Sequence, residues 1–210
     1  MIERYTLPEM GRIWTESAKF QSWLKVELAA CEANYSLGKI PKDALNDIRL
    51  NAKFEECRIK EIEKEVKHDV IAFLTNLNEY VGDSGRFIHV GMTSSDVLDT
   101  GLSLQLRASC NLLITEIEKL EREVRLLASQ HKETIMIGRS HAIHGEPISF
   151  GFKLAGWLAE IIRNKKRLLT LKESVAIGQI SGAMGTYANT NPKVEQITCD
   201  LLGLKPDTAS

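Results

Sequence analysis

Residues 102–127 read LSLQLRASCNLLITEIEKLEREVRLL, and the spacing of apolar residues in this run decides the fold class. Leu102, Leu106, Cys110, Leu113, Ile117, Leu120, Val124 and Leu127 step by four and three, which lays a heptad-like seam along one side of a helix. A seam of this length belongs to long helices packed in a bundle. Downstream, Leu154, Leu158, Ile161, Ile162, Leu168 and Leu169 repeat the arrangement to about Glu173. Upstream, Ile13, Phe20, Trp23, Leu24, Leu28 and Cys31 recur at helical spacing from about Met10 to Leu37, and Gly38 suits a C-cap. Trp14 and Trp23 are expected in the core or at a subunit contact, because large rings bury much area. Pro41 to Leu50 reads as a short helix and connector. Glu55 to Val81 reads as one further helix with Ile59, Ile62, Val66, Val70, Phe73 and Leu77 as its seam. Gly82 to Gly91 reads as a loop, and Asn191-Pro192 opens a last short helix to Leu202. The fold class expected is all-α. A small N-terminal helical domain, residues 1–92, precedes the first long helices of a central bundle, residues 93–210. Two helices this long bury their stripes only against each other and further helices, which this chain does not supply.

Composition narrows the function classes. The 210 residues give room for one or two domains with a core, and 27 basic against 28 acidic side chains leave the chain nearly neutral. That balance gives no nucleic-acid footprint; the cluster Arg163, Lys165, Lys166 and Arg167 reads as a solvated helix face. Cys31, Cys57, Cys110 and Cys199 show no C-x-x-C spacing, so buried free thiols in a reducing compartment are expected rather than disulfides or zinc. No apolar h-region follows Glu3 and no apolar run approaches membrane-spanning length, so the expected location is cytoplasmic, away from membranes.

Two stretches carry the chemistry. Gly138-Arg139-Ser140-His141-Ala142-Ile143-His144-Gly145-Glu146-Pro147 packs ionisable groups between two long helical patterns, and Pro147 is placed to open the next helix at its first position. Locally, a polar helix connection accounts for it equally well. Gly91-Met92-Thr93-Ser94-Ser95-Asp96-Val97-Leu98-Asp99-Thr100 is dense in hydroxyls and precedes the first long helix. Thr93-x-x-Asp96 has the spacing of a capping box, and the same helix start would also hold an anion on free N–H groups. Lys67-His68-Asp69 reads as a polar turn of helix. Arg4-Tyr5 precede Pro8 in an extended arm. Gly178, Gly182 and Gly185 punctuate a stretch that lacks the Walker ending and has no strand leading into it, which leaves an irregular loop with close backbone approach.

Together these stretches resemble the first two of three signature regions in the fumarase/aspartase superfamily, closest to its adenylosuccinate lyase branch. The resemblance takes in Arg4-Tyr5, Lys67-His68-Asp69 and Gly178 to Asn189, and so runs the whole chain. It implies a β-elimination that releases fumarate from an N-succinyl group, with adenylosuccinate and the succinyl-carboxamide imidazole ribotide as substrates, and neither cofactor nor metal. His141 matches the family's general acid and His68 assists it. Arg4 and Tyr5 would hold the substrate phosphate; Lys67, His68, Asp69, Thr93 and Ser94 would contact substrate, and His89 would line the same cleft. His144, with Glu146, either supports the site or only holds the loop. Ser140 stands where threonine is common, and Ala142-Ile143 and Gly145 depart from the frequent Gly-Gln and Ala, which touches fine positioning more than reaction class.

The third signature, Gly-Ser-Ser-x-Met-Pro-x-Lys-x-Asn-Pro, whose serine is thought to be the base, has no counterpart here. The chain thus looks like an N-terminal piece of a homotetrameric enzyme whose sites draw on three subunits, with little activity expected alone. A sister lyase of the argininosuccinate or carboxymuconate type, or a helical module that only oligomerises, are the other readings.

Overall fold

A computed structural model describes residues 2–209, with the side chain of Glu3 set aside. The chain is 69% helical, all-α as the seams predict, with only short strands. Its helices are α1 (Pro8–Ile13), α2 (Glu16–Ser36), α3 (Lys42–Asn51), α4 (Glu56–Val66), α5 (Asp69–Val81), α6 (Ser94–Gln130), α7 (Phe150–Val175) and α8 (Pro192–Leu202). Four strands accompany them: β1 (Ile135–Ser140), β2 (Ile143–Ser149), β3 (Ile177–Gly178) and β4 (Lys205–Pro206). Internal contacts divide the chain into residues 1–108 with 175–210, and residues 109–174.

The first unit is built around α2. Thr15 Oγ1 accepts the Ala18 amide at 3.1 Å and starts the helix. At the other end the Gly38 amide bonds Tyr35 O and the Lys39 amide bonds Asn34 O, both at 2.9 Å. With Gly38 at φ +73° this is a Schellman end, as the glycine predicts. Helix α2 is buried nearly all round because it serves two cores. On one side Phe20, Trp23, Leu24 and Cys31 pack with Leu45, Ile48, Ile59, Phe73 and Leu77. On the other, Val26 and Ala33 meet Ile180 and Val194. Phe20 stacks on Phe73 at 5.8 Å and 6°, and Trp23 meets Phe73 edge-on at 5.5 Å, arrangements that add to plain area burial. Trp23 is buried in the core, one of the two places expected for it, and Trp14 is exposed on this chain.

Three helical readings need correction. The Met10–Leu37 run is two helices, because Thr15 caps a new one after Ile13. The Glu55–Val81 run also breaks. Lys67 adopts a left-handed φ of 56° and His68 becomes the N-cap of α5, so Lys67-His68-Asp69 is a corner and not a turn of helix. Within Gly82 to Gly91, residues Gly82–Phe87 form a 3-10 helix before the turn to α6.

The second unit holds the end of α6, the β1–β2 hairpin and α7. Residues 138–147 thus join two helices, α6 and α7, but as part of a β-hairpin, and Pro147 does not open a helix. It pairs with Ile137 inside β2, and α7 starts at Phe150. Proline is tolerated there because the sheet has only two strands, leaving an outer edge that needs no donor. The register shifts between Ile137 and Arg139, so Gly145 and Glu146 stand opposite Gly138, a bulge at glycine. Lys165 of α7 ties to Glu118 and Glu121 of α6 at 3.3 and 3.2 Å; of the basic cluster it is thus an ion-pairing residue. Along the α6 seam Cys110 and Val124 are buried, whereas Leu113, Leu120 and Leu127 are exposed.

All four thiols are free; Cys31, Cys110 and Cys199 are buried and Cys57 is exposed. Burial, with Glu195 and Asp200 nearby, pushes the Cys199 thiol up to about 12, which keeps it protonated. No helix among the described residues is long and apolar enough to cross a membrane.

Candidate functional site

The start of α6 is where the first unit gathers its predicted site residues. Asp96 in the first turn reaches back, its Oδ2 accepting the Thr93 amide at 2.9 Å. This is the acidic half of the predicted capping box. The other half is replaced by a backbone bond, Asp96 N–H to Thr93 O at 3.0 Å. Ser94 Oγ faces His68 Nε2 at a loose 3.5 Å. The break between α4 and α5 makes that approach possible. As N-cap, His68 accepts the Ile71 amide on Nδ1 at 3.3 Å, which leaves the ring proton on Nε2, toward Ser94. Asp69 lies beside it, Oδ1 at 3.5 Å from Nδ1. Lys67, His68, Asp69, Thr93 and Ser94 thus occupy two chain corners joined through the His68–Ser94 contact.

His89 stands just before this corner with φ +65°. Its Nδ1 lies 2.6 Å from Glu27 Oε1, and its amide donates to Glu27 Oε2 at 3.1 Å. Burial alone would push the imidazole down. The Glu27 hydrogen bond and charge, with the Asp96 charge, prevail and hold it above its ordinary value.

Asp96 does more than cap. The fully buried carboxylate accepts the Ser181 amide on Oδ1 and the Gly182 amide on Oδ2, both at 3.1 Å. Glu195 of α8, also buried, accepts the Ile180 amide and the Tyr187 hydroxyl, each at 2.8 Å. Thr100 Oγ1 receives the Gln179 amide at 3.0 Å. Four successive amides, 179 to 182, are therefore held by side chains of α6 and α8 instead of a strand or helix ladder. The Tyr187 hydroxyl, held by Glu195 and partly buried, is pushed up to about 12. Glycine has a specific purpose here. A Cβ on Gly91 would collide with the Asn189 carbonyl, and Gly91 has φ +76°. The close approach thus falls at Gly91 against the end of the glycine stretch, and Ile177–Gly178, where no strand was expected, forms a two-residue parallel strand with Lys205–Pro206.

Other predicted residues lie elsewhere. Arg4 stacks over the Tyr5 ring at 4.8 Å in a surface 3-10 turn, and Tyr5 is exposed. Neither is hydrogen-bonded to His68, His89 or Ser94 among the described residues. His141 belongs to the second unit, exposed at the hairpin tip, where it and Ala142 form the two-residue turn with φ 51° and 63°. His144 pairs with Arg139 across the hairpin.

Sequence reasoning missed Glu27 and Glu195, and read Asp96 only as a cap. The signal at Glu27 was a single acid within the otherwise apolar Val26–Ala30 segment. Glu195 had no comparable mark.

Residues 3–209 match a family described as a lyase. An adenylosuccinate lyase of Synechocystis sp. is 63% identical over 210 residues, all of this chain and 49% of that protein. One from Aquifex aeolicus is 49% identical over 214 residues, again covering 100% of this chain and 49% of the relative. The chain spans about half the length of these curated relatives. Among solved structures, a fumarate lyase from Mesorhizobium sp. BNC1 superposes with TM-score 0.90 at 28% identity, covering 96% of this chain and 49% of that one. A 3-carboxy-cis,cis-muconate lactonizing enzyme from Pseudomonas putida gives 0.91 at 28%, covering 98% and 49%. Motifs, helical fold and a match that takes in nearly every residue agree: the chain belongs to the lyases of the fumarase/aspartase superfamily.

Proposed function

We propose that this chain forms part of an adenylosuccinate lyase, which eliminates fumarate from adenylosuccinate to give AMP and acts likewise on the succinyl-carboxamide imidazole ribotide. The observation that carries the reading is the corner where His68 Nε2 meets Ser94 Oγ at the start of a 37-residue helix. Hydroxyls, an imidazole and a helix N-terminus suit an oxyanion, and the 63% identical relative supplies the substrate by its name.

In the reaction, a base takes the proton from the carbon beside a succinyl carboxylate, the C–N bond breaks, and the departing nitrogen takes a proton from an acid. We assign that acid to His141, with His68 assisting through orientation and charge. Thr93 and Ser94 hydroxyls, with Lys67, Asp69 and His89, would steady the developing charge and the anionic groups of the substrate. Arg4 and Tyr5 would take the phosphate, a forked guanidinium beside a phenol donor. The base would come from outside this chain. Exposed Leu113, Leu120 and Leu127 support self-association, and a cytoplasmic homotetramer is the assembly proposed for the complete enzyme.

The test joins this chain to the part of the Synechocystis relative that it does not span. Fumarate release from adenylosuccinate is expected, slowed at least about 100-fold by His141→Ala and inhibited competitively by AMP. Turnover of argininosuccinate in place of adenylosuccinate would move the protein to a sister lyase. Full activity in His141→Ala would remove the acid assignment.

A further inference from the structure

We propose that Glu27 is a positioning residue of the candidate site, holding His89 as an imidazolium through Nδ1 so that its Nε2–H is turned to an oxyanion of the substrate. The inference rests on the proposed function for the anion's identity, but not for the Glu27–His89 pair itself.

Glu27 lies in the middle of α2 with its side chain 1% exposed. A carboxylate buried alone is strongly unfavourable, and such groups are kept where partners are fixed. Here both oxygens are given to one residue. Oε1 meets the ring at Nδ1 at 2.6 Å, and Oε2 takes the backbone N–H at 3.1 Å. Because a carboxylate only accepts, Nδ1 must carry the proton. Gripping ring and backbone together holds His89 at its positive φ, a conformation that non-glycine residues adopt only under constraint.

What remains is Nε2. The His89 side chain is 20% exposed, and Nε2 has no hydrogen-bond partner among the described residues. Two carboxylates act on the ring, Glu27 from α2 and Asp96 from α6, and together they favour the charged form against the opposing effect of burial. An imidazolium whose Nδ1–H is committed has one donor left. It stands four residues before Thr93, on the approach to the helix start where Ser94 and His68 already meet. A carboxylate that merely fastened this turn to α2 would need only the backbone contact. The short ring contact, which sets tautomer and charge, is the surplus this proposal explains.

The test is the side-chain nitrogen spectrum of ¹⁵N-labelled chain through a pH titration, beside Glu27→Gln and Glu27→Asp. His89 is expected to titrate above the ordinary imidazole midpoint, with a midpoint that falls in Glu27→Gln and partly recovers in Glu27→Asp. A midpoint at or below the ordinary imidazole value in the unsubstituted chain overturns the proposal even if Glu27→Gln fails to fold. So does an unchanged midpoint in Glu27→Gln. In the chain completed with the Synechocystis segment, Glu27→Gln should raise KM about tenfold or more with kcat changed far less, the mark of lost ground-state binding. A shifted midpoint with an unchanged KM would reduce Glu27 to a structural anchor and overturn positioning. If the completed enzyme leaves adenylosuccinate untouched, the proposed function fails by itself, and the Glu27–His89 pair is judged by the spectrum.

Discussion

Asp96→Asn asks whether one buried carboxylate organises the first unit's site. The native side chain accepts three amides, Ser181 on Oδ1 and Thr93 and Gly182 on Oδ2. Asparagine offers one oxygen. Its better orientation keeps Thr93 and Gly182 and turns its NH₂ against the Ser181 N–H; the other orphans two amides. The better case loses one hydrogen bond to a charged group, worth about 1.5–3 kcal/mol, and weakens the other two. Relief from burying a full charge offsets part of this. The expected net loss is about 2–3 kcal/mol in urea unfolding, with faster amide exchange at Ser181 and Gly182. Asp99→Asn, exposed on the same helix and able to keep its bond from Gln179 Nε2 through the amide oxygen, should stay within about 0.5 kcal/mol. A loss in Asp96→Asn no larger than that control, with exchange at 181 and 182 unchanged, would refute the pinning.

Three further perturbations follow from the geometry. Ala142→Gly relieves a left-handed non-glycine residue costing about 1–2 kcal/mol, less about 0.5–1 for added freedom in the unfolded chain; the hairpin should gain about 0.5–1 kcal/mol of protection in hydrogen exchange. Gly91→Ala adds positive-φ strain and a collision with Asn189 O, so a destabilisation of about 2 kcal/mol or more is expected by denaturant titration. The raised protonation of His89 contributes stability that is fully present below about pH 6.5 and is lost as pH rises through its higher folded-state midpoint. Glu27→Gln should flatten that segment of the stability–pH curve.

Much of the architecture was legible because it is locally written. Gly38 ends α2 where a glycine end should fall, Asn191-Pro192 starts α8, and the four-three stepping of residues 102–127 lies within α6. What escaped is decided by contacts distant in sequence. Nothing local marks the corner at Lys67, which has neither glycine nor proline; the left-handed bend persists while His68 caps α5 and faces Ser94. The hairpin hid because His141-Ala142 is a poor signal for a two-residue turn that normally favours Asn-Gly, and Pro147 imitates a helix start. Of the candidate site, Thr93 to Asp96 was readable as a cap, and its hydroxyls as anion donors. The holding of amides 179 to 182 was not, because Thr100, Asp96 and Glu195 reach that loop from other helices.

In the proposed function this chain supplies the acid and substrate contacts of an adenylosuccinate lyase, while the base comes from elsewhere. This is tested most directly by measuring fumarate released from adenylosuccinate by the chain alone and by the chain completed with the Synechocystis segment. Release from the completed form only is expected. Release by the chain alone would place the base among these residues and contradict the mechanism, and silence in both would contradict the substrate.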